Sequence, residues 1–320
     1  MRLLIPVSST EDIESYLKIS ENASFYAGFS LIDWTERFGR FADLNRMSAF
    51  RSNANFSGFE CISDLVSQAR GHDLYITLNA GSYSAEQLDY LKTVIRELAQ
   101  TGVTGIILGV PELVDTVRNH GLKACASTML GIYNSDIAQF YADMGFQRLI
   151  LPRELTLTEI REIRQTVPEV EYECFLMRNG CRYSDSFCLG RHSDQFGAIC
   201  TWLDRSRTTY CGLPEKSFEY HDLFVFNHLA FTEVFHKTVC GACALFDLMQ
   251  AGIDAGKIVG RADGKASILP EIAVLEKNMR IAVACNSRQE YLDQMVMPDY
   301  YDRMCFQGCN CYYPEIRYPV

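Results

Sequence analysis

A chain of 320 residues, 48% hydrophobic and 22% charged, has the composition of a folded globular protein with length enough for one large core. Its formal net charge of −10 works against broad attraction to phosphate backbones, so strong non-specific nucleic-acid binding is not expected, although a local basic patch would survive that total. No apolar run is long enough to span a membrane, and the stretch Leu3 to Val7 before Ser8, Ser9, Glu11 and Asp12 is too short for a signal-peptide core, so a cytoplasmic protein is expected. Thirteen cysteines in a reducing compartment argue against a disulfide scaffold and require another explanation. Burial as small hydrophobes accounts for some of them, Cys125 in Lys123-Ala124-Cys125-Ala126-Ser127 being an example.

Short apolar, β-branched runs alternate with amphipathic stretches along the chain, the rhythm of repeated βα units. Strands are expected near Leu3–Val7, Ser24–Phe29, Leu74–Asn79, Gly105–Gly109, Lys123–Ser127, Gln147–Leu151, Glu171–Leu176 and Lys257–Gly260. The clearest helix is Ala85–Gln100, with Leu88, Leu91, Val94, Ile95 and Leu98 on one face and a capping box of Ser84 and Gln87. A second box, Thr156 with Glu159, opens a helix carrying Ile160 and Ile163. Eight such strands predict a TIM-type (β/α)8 barrel, and the absence of glycine from Val7-Ser8-Ser9-Thr10 argues against an open doubly wound sheet with a phosphate loop there. The barrel is expected over residues 1–265. Residues 266–320 are expected to add a helical segment, Leu269–Ala284, and a cysteine- and tyrosine-rich tail that packs on the barrel or on a partner.

Two long loops interrupt this rhythm, Phe38–Gly58 after the second strand and Arg178–Leu223 after the seventh. Loops leaving the C-terminal ends of barrel strands build active sites, so Asn79, Ser127, Arg153, Glu154 and the segment after Leu176 should converge on one face. The second loop carries Cys181, Cys188 and Cys200, with Cys240 further on. Thiolate quartets suit zinc or iron–sulfur clusters, and the spacing alone does not choose between them. No pair of compact C-x-x-C motifs is present, which leans toward a cluster, and the alternative is four separately buried thiols. Further downstream, Cys305, Cys309 and Cys311 form a dense C-x3-C-x-C group that either holds a second metal or cluster or is an inert or oxidised tail.

Glu173-x-Phe175 followed by Gly180-Cys181 and Cys188 resembles the signature of the collagenase-like peptidase family, class U thirty-two. Four more blocks resemble that family's in the same order: Tyr75-Ile76-Thr77-Leu78-Asn79, Ala126-Ser127-Thr128, Leu151-Pro152-Arg153-Glu154-Leu155 and Lys257-Ile258-Val259-Gly260-Arg261. Length and cysteine spacing are most similar to its short iron–sulfur members, the oxygen-independent ubiquinone hydroxylases; longer members hydroxylate tRNA or ribosomal RNA bases. The resemblance implies a barrel with one 4Fe-4S cluster on Cys181, Cys188, Cys200 and Cys240, and prephenate as the inferred oxygen donor. Asp185-Ser186 stands where the family has Ser-Gly, Val259 replaces its usual Glu, and Cys200 comes sooner than in typical members.

Arg153, Glu154 and Glu173 are the candidate catalytic residues, and Asn79, Ser127, Lys257 and Arg261 the candidates for binding substrate. Arg153, Lys257 and Arg261 sit at expected strand ends and suit an anionic donor, because guanidinium forks bind carboxylates bidentately; the equal alternative for Arg153 is internal scaffolding, paired with Glu154 or Glu173. Asn79 and Ser127 offer neutral hydrogen bonds, or cap the barrel rim. Three functions follow: an iron–sulfur enzyme hydroxylating, or otherwise modifying, a small aromatic or nucleic-acid base; a non-catalytic iron–sulfur partner subunit of a homologous enzyme; or a peptidase of unknown mechanism. The sequence holds no HExxH and no G-x-S-x-G, and its six histidines show no ligand spacing.

Overall fold

Eight parallel strands of the computed structural model close on themselves: β1 (Arg2–Val7), β2 (Ser24–Ser30), β4 (Leu74–Leu78), β5 (Gly105–Leu108), β6 (Lys123–Ala126), β7 (Arg148–Ile150), β8 (Glu171–Met177) and β9 (Ala255–Ile258). The structure describes residues 1–39, 42–47, 54–181, 184–187, 238–297 and 311–316. The barrel closes because β1 pairs with both β9 and β2. Strand β3 (Asn55–Ser57) extends the far end of β2 and stands outside the ring. With helices between the strands, this is the expected TIM-type (β/α)8 barrel.

Register partners in parallel strands share a face, so the pairings name the barrel interior. Arg148 stands beside Glu171, Ile150 beside Glu173, and Phe175 beside Lys257, all toward the axis. The interior therefore carries a ladder of charge from bottom to top. Lys123 Nζ is 2.6 Å from Glu171, Arg148 Nε donates to Glu171 at 2.9 Å, and Lys257 Nζ donates to Glu173 at 2.7 Å. Buried charges persist only when paired in this way.

Outside the ring, the helix Ala85–Gln100 buries Leu91, Val94, Ile95 and Leu98, and its Ser84–Gln87 capping box forms. Each of those side chains contributes roughly 1.5–3 kcal/mol relative to exposure. The Thr156–Glu159 box likewise opens the helix Leu157–Thr166. The last strand begins two residues earlier than expected, at Ala255, because Gly256 has no strand propensity to mark it. Its missing side chain is required: a Cβ there would lie 2.2 Å from Leu176 Cδ1. The C-terminal helix also starts earlier than expected, at Lys265 rather than Leu269. No described helix is long and apolar enough to cross a membrane.

The described part of the tail, residues 311–316, packs on the barrel. The Tyr313 hydroxyl donates to the Phe175 carbonyl at 2.9 Å, and the Leu157 amide donates to Glu315 at 2.7 Å. At the upper end of β8 the chain makes a small additional ladder: Met177 bridges Cys240 in antiparallel sense, and Cys240 bridges Cys311 in parallel sense.

Candidate active site at the barrel mouth

The C-terminal ends of β2, β4, β6, β7, β8 and β9 bring together most of the residues expected from the sequence. Glu173 is 0% exposed and holds Lys257, which is 7% exposed and sits with its Nζ 4.2 Å from the Tyr26 ring centroid. Arg153 lies over the Phe175 ring at 4.0 Å and pairs with Asp185. Arg46 takes the other oxygen of the same Asp185 carboxylate. Arg261 reaches back across the mouth to donate to Thr77 and, at 3.4 Å, to Asn45. Gly28 makes that reach feasible, because a Cβ at this position would come within 2.6 Å of the Arg261 guanidinium and 2.2 Å of the Ala54 carbonyl.

Asn79 and Ser127 meet at 3.4 Å; Asn79 also accepts from the Arg46 amide, and Ser127 caps the short turn that follows β6. Both are therefore rim hydrogen-bonders at the mouth. Glu154, by contrast, is exposed next to Arg153. The pairing of Arg153 is with Asp185, not with Glu154 or Glu173. Glu173 instead takes Lys257, with Arg148 NH1 3.8 Å away beneath it.

Among the described residues at the mouth, four cations, Arg46, Arg153, Lys257 and Arg261, thus face two carboxylates, Asp185 and Glu173. Burial lowers Lys257, opposed by Glu173, and the charges of Arg261 and Arg153 lower it further. Burial pulls Arg261 down to about 10, with Tyr26 opposing and Arg46 adding to the fall. The Nε atoms of Arg46 and Arg153 are buried with no hydrogen-bond partner among the described residues. Buried donors left in this state favour an anion that satisfies them. A separate cavity of about 340 Å³, lined by Arg2, Arg148, Glu171 and Asp254, opens at the opposite end of the barrel, the end that in this fold serves stability.

Arg46, Asn45 and Asp185 were not singled out from the sequence as site residues. Their signal was positional, since all three lie in the two long loops that follow strand C-termini.

Of the four expected cluster cysteines, Cys188 and Cys200 lie outside the described residues, as do Cys305 and Cys309. Cys181 is half-buried just beyond β8, after Arg178 and Asn179, whose φ values of 66° and 46° turn the chain sharply. Cys240 is 8% exposed, and its Sγ accepts the Ala242 amide at 3.4 Å. Such amide-to-sulfur contacts tune cluster thiolates. Among the described residues alone, no three His, Cys, Asp or Glu side chains gather as a metal site. Cys125 is fully buried inside the barrel and pushed up to about 12 by burial, which keeps it a thiol.

The sequence profile of peptidase family U32 matches residues 41–299. Among curated proteins, the chain is 28% identical over 195 residues to tRNA hydroxylation protein P1 of Bacillus subtilis, covering 59% of this chain and 42% of that protein. It is 34% identical over 126 residues to tRNA hydroxylation protein P of Escherichia coli, covering 38% of this chain and 27% of that one. It is 35% identical over 170 residues to the 23S rRNA 5-hydroxycytidine C2501 synthase of Escherichia coli, covering 51% and 24%. The chain therefore spans less than half the length of these relatives. A solved U32 peptidase, Mk0906, superposes with a TM-score of 0.44 at 15% identity, covering 58% of this chain and 72% of that one. The motif blocks expected at the strand ends thus coincide with a profile match over most of the chain, which belongs to peptidase family U32.

Proposed function

We propose that this chain is an iron–sulfur enzyme that hydroxylates, or modifies in a related way, a small aromatic or nucleic-acid base without molecular oxygen. The observation that supports this reading is the cationic excess among the described residues at the mouth, Arg46, Arg153, Lys257 and Arg261 against Asp185 and Glu173. The hydroxylation proteins named above lend it support from relatives. An excess of two positive charges flanked by Tyr26, Phe175 and Tyr312 suits a dicarboxylate bearing a six-membered ring, and prephenate, the proposed oxygen donor, has that form.

In this reading Arg153, Lys257 and Arg261 clamp the donor carboxylates, and Glu173 holds Lys257 charged and oriented. Asn79 and Ser127 offer neutral hydrogen bonds to the substrate across the mouth. Cys181, Cys188, Cys200 and Cys240 would hold a 4Fe-4S cluster, and thiolate donors with an amide-to-sulfur contact at Cys240 fit such a group. When bound, the cluster supplies electron transfer or a Lewis-acidic iron.

The test is turnover by the purified single chain under strict anaerobiosis, with prephenate and a nucleoside or aromatic acceptor. Hydroxylated product supports the reading. Product formed only after a homologous chain is added would make this a partner subunit, and an iron-free preparation that cleaves a peptide would make it a peptidase.

A further inference from the structure

Two arginines from opposite sides of the mouth converge on one carboxylate. Arg46 lies in the loop after β2 and Arg153 follows β7, strands that face each other across the closed ring. Each meets Asp185 through Nη1 alone. The Nε of each guanidinium is buried without a hydrogen-bond partner among the described residues. A carboxylate that takes a guanidinium edge-on makes two parallel bonds and satisfies Nε, so Asp185 uses both forks below their capacity.

Both arginines are anchored independently of Asp185. Arg153 lies over the Phe175 ring at 4.0 Å, and the Arg46 backbone amide donates to Asn79 at 3.1 Å. The anion site is therefore preformed, and the carboxylate in it is exchangeable. Asp185 belongs to a short segment, residues 184–187, fastened on the far side of the mouth after β6. There the Tyr133 hydroxyl bonds Ser184 and lies 2.8 Å from the Ser186 hydroxyl. Gly131, at φ 61°, admits the segment, since a Cβ on it would come within 2.9 Å of Ser186 Cβ. The Asp185 side chain is 2% exposed, yet Phe187 two residues on is 78% exposed, so a short swing takes the carboxylate to water.

We propose that Asp185 is a built-in stand-in for the donor carboxylate: it fills the Arg46–Arg153 site in the free protein, and the arriving carboxylate displaces it. The proposal rests on the dicarboxylate-donor reading above, and adds to it a further donor-binding residue, Arg46, and a displaceable latch. One carboxylate leaves the two arginines as another arrives, so neither guanidinium is stranded by the exchange. The exchange is favoured because the incoming group is free to make the forked contacts that Asp185 does not make. Opening the latch is subtracted from the intrinsic affinity for the donor.

The test uses the full chain, prepared anaerobically, with prephenate as the probe. Carbodiimide coupling to glycine ethyl ester is read by peptide mass at Asp185, with exposed Asp89 on the helix Ala85–Gln100 as the reference for reagent dose. In free wild type Asp185 couples about tenfold or more slowly than Asp89, and saturating prephenate raises it toward the reference rate. In calorimetry Asp185→Asn binds prephenate roughly tenfold more tightly than wild type, because the latch no longer holds the site closed. Prephenate that binds wild type while coupling at Asp185 stays unchanged or falls overturns the proposal and leaves the donor reading standing. Coupling at the reference rate in the free protein overturns it too, since the latch is then not closed. No binding to wild type overturns the donor reading and the latch together, unless Asp185→Asn binds prephenate, which supports the latch. Where Asp185→Asn fails to fold, the labelling of wild type decides.

Discussion

Lys257 Nζ lies 2.7 Å from Glu173 Oε1 inside the barrel, with the two residues 7% and 0% exposed. Removing one partner strands the other charge in the interior, so Lys257→Met should cost about 3–5 kcal/mol of unfolding free energy. The double variant Lys257→Met with Glu173→Leu should regain much of that loss. Urea unfolding of the single and double variants measures both, and a double variant no more stable than the single would contradict a paired role.

Asp185 ties Arg46 to Arg153 at the mouth with a side chain 2% exposed. Asp185→Asn should therefore act in two directions. Stability falls because two partly buried guanidinium groups lose their carboxylate, while affinity for a dicarboxylate rises because the excess of positive charge grows. Thermal melting and calorimetric titration with prephenate read the two effects on one sample.

Arg261→Ala and Arg153→Ala each remove charge-assisted hydrogen bonds worth about 1.5–3 kcal/mol, a loss of roughly 10- to 150-fold in donor affinity. Because Arg261 titrates near 10 and a bound carboxylate would raise it, donor affinity in wild type should weaken as pH rises through about 10. Titrations at roughly pH 8 and pH 11, one on each side of that value, check this.

At the other end of the barrel, burial pushes Glu171 up, but the hydrogen bonds and charges of Lys123 and Arg148 outweigh it and hold the carboxyl below its ordinary 4.5. A depressed carboxyl contributes stability above the unfolded value and loses it as pH falls through the folded one. Melting of wild type and Glu171→Gln should accordingly differ at neutral pH and converge below 4.5.

The eight barrel strands and both capping boxes were legible in the sequence because each rests on a local signal: a short apolar run, or a Ser or Thr three residues before Gln or Glu. Strand β3 was not, since Asn55-Phe56-Ser57 has no strand pattern of its own; it pairs with the end of β2, where Asn45 donates to the Phe29 carbonyl and the Asn55 side chain at 2.8 Å each. The partner of Arg153 was hidden for a related reason. Asp185 is 32 residues away in a loop, and only closure of the barrel brings it under the guanidinium. The clamps at Lys257 and Arg261 were legible from their place at a strand end, but their excess charge became countable only with the partners in view.

The central claim is an iron–sulfur centre at this mouth, and its most direct test is iron and acid-labile sulfide per chain, with an absorbance spectrum, for anaerobic wild type and Cys181→Ala. The account predicts about four iron and four sulfide per wild-type chain, and loss of that cluster in the variant. Unchanged iron in Cys181→Ala, or none in wild type, would contradict it.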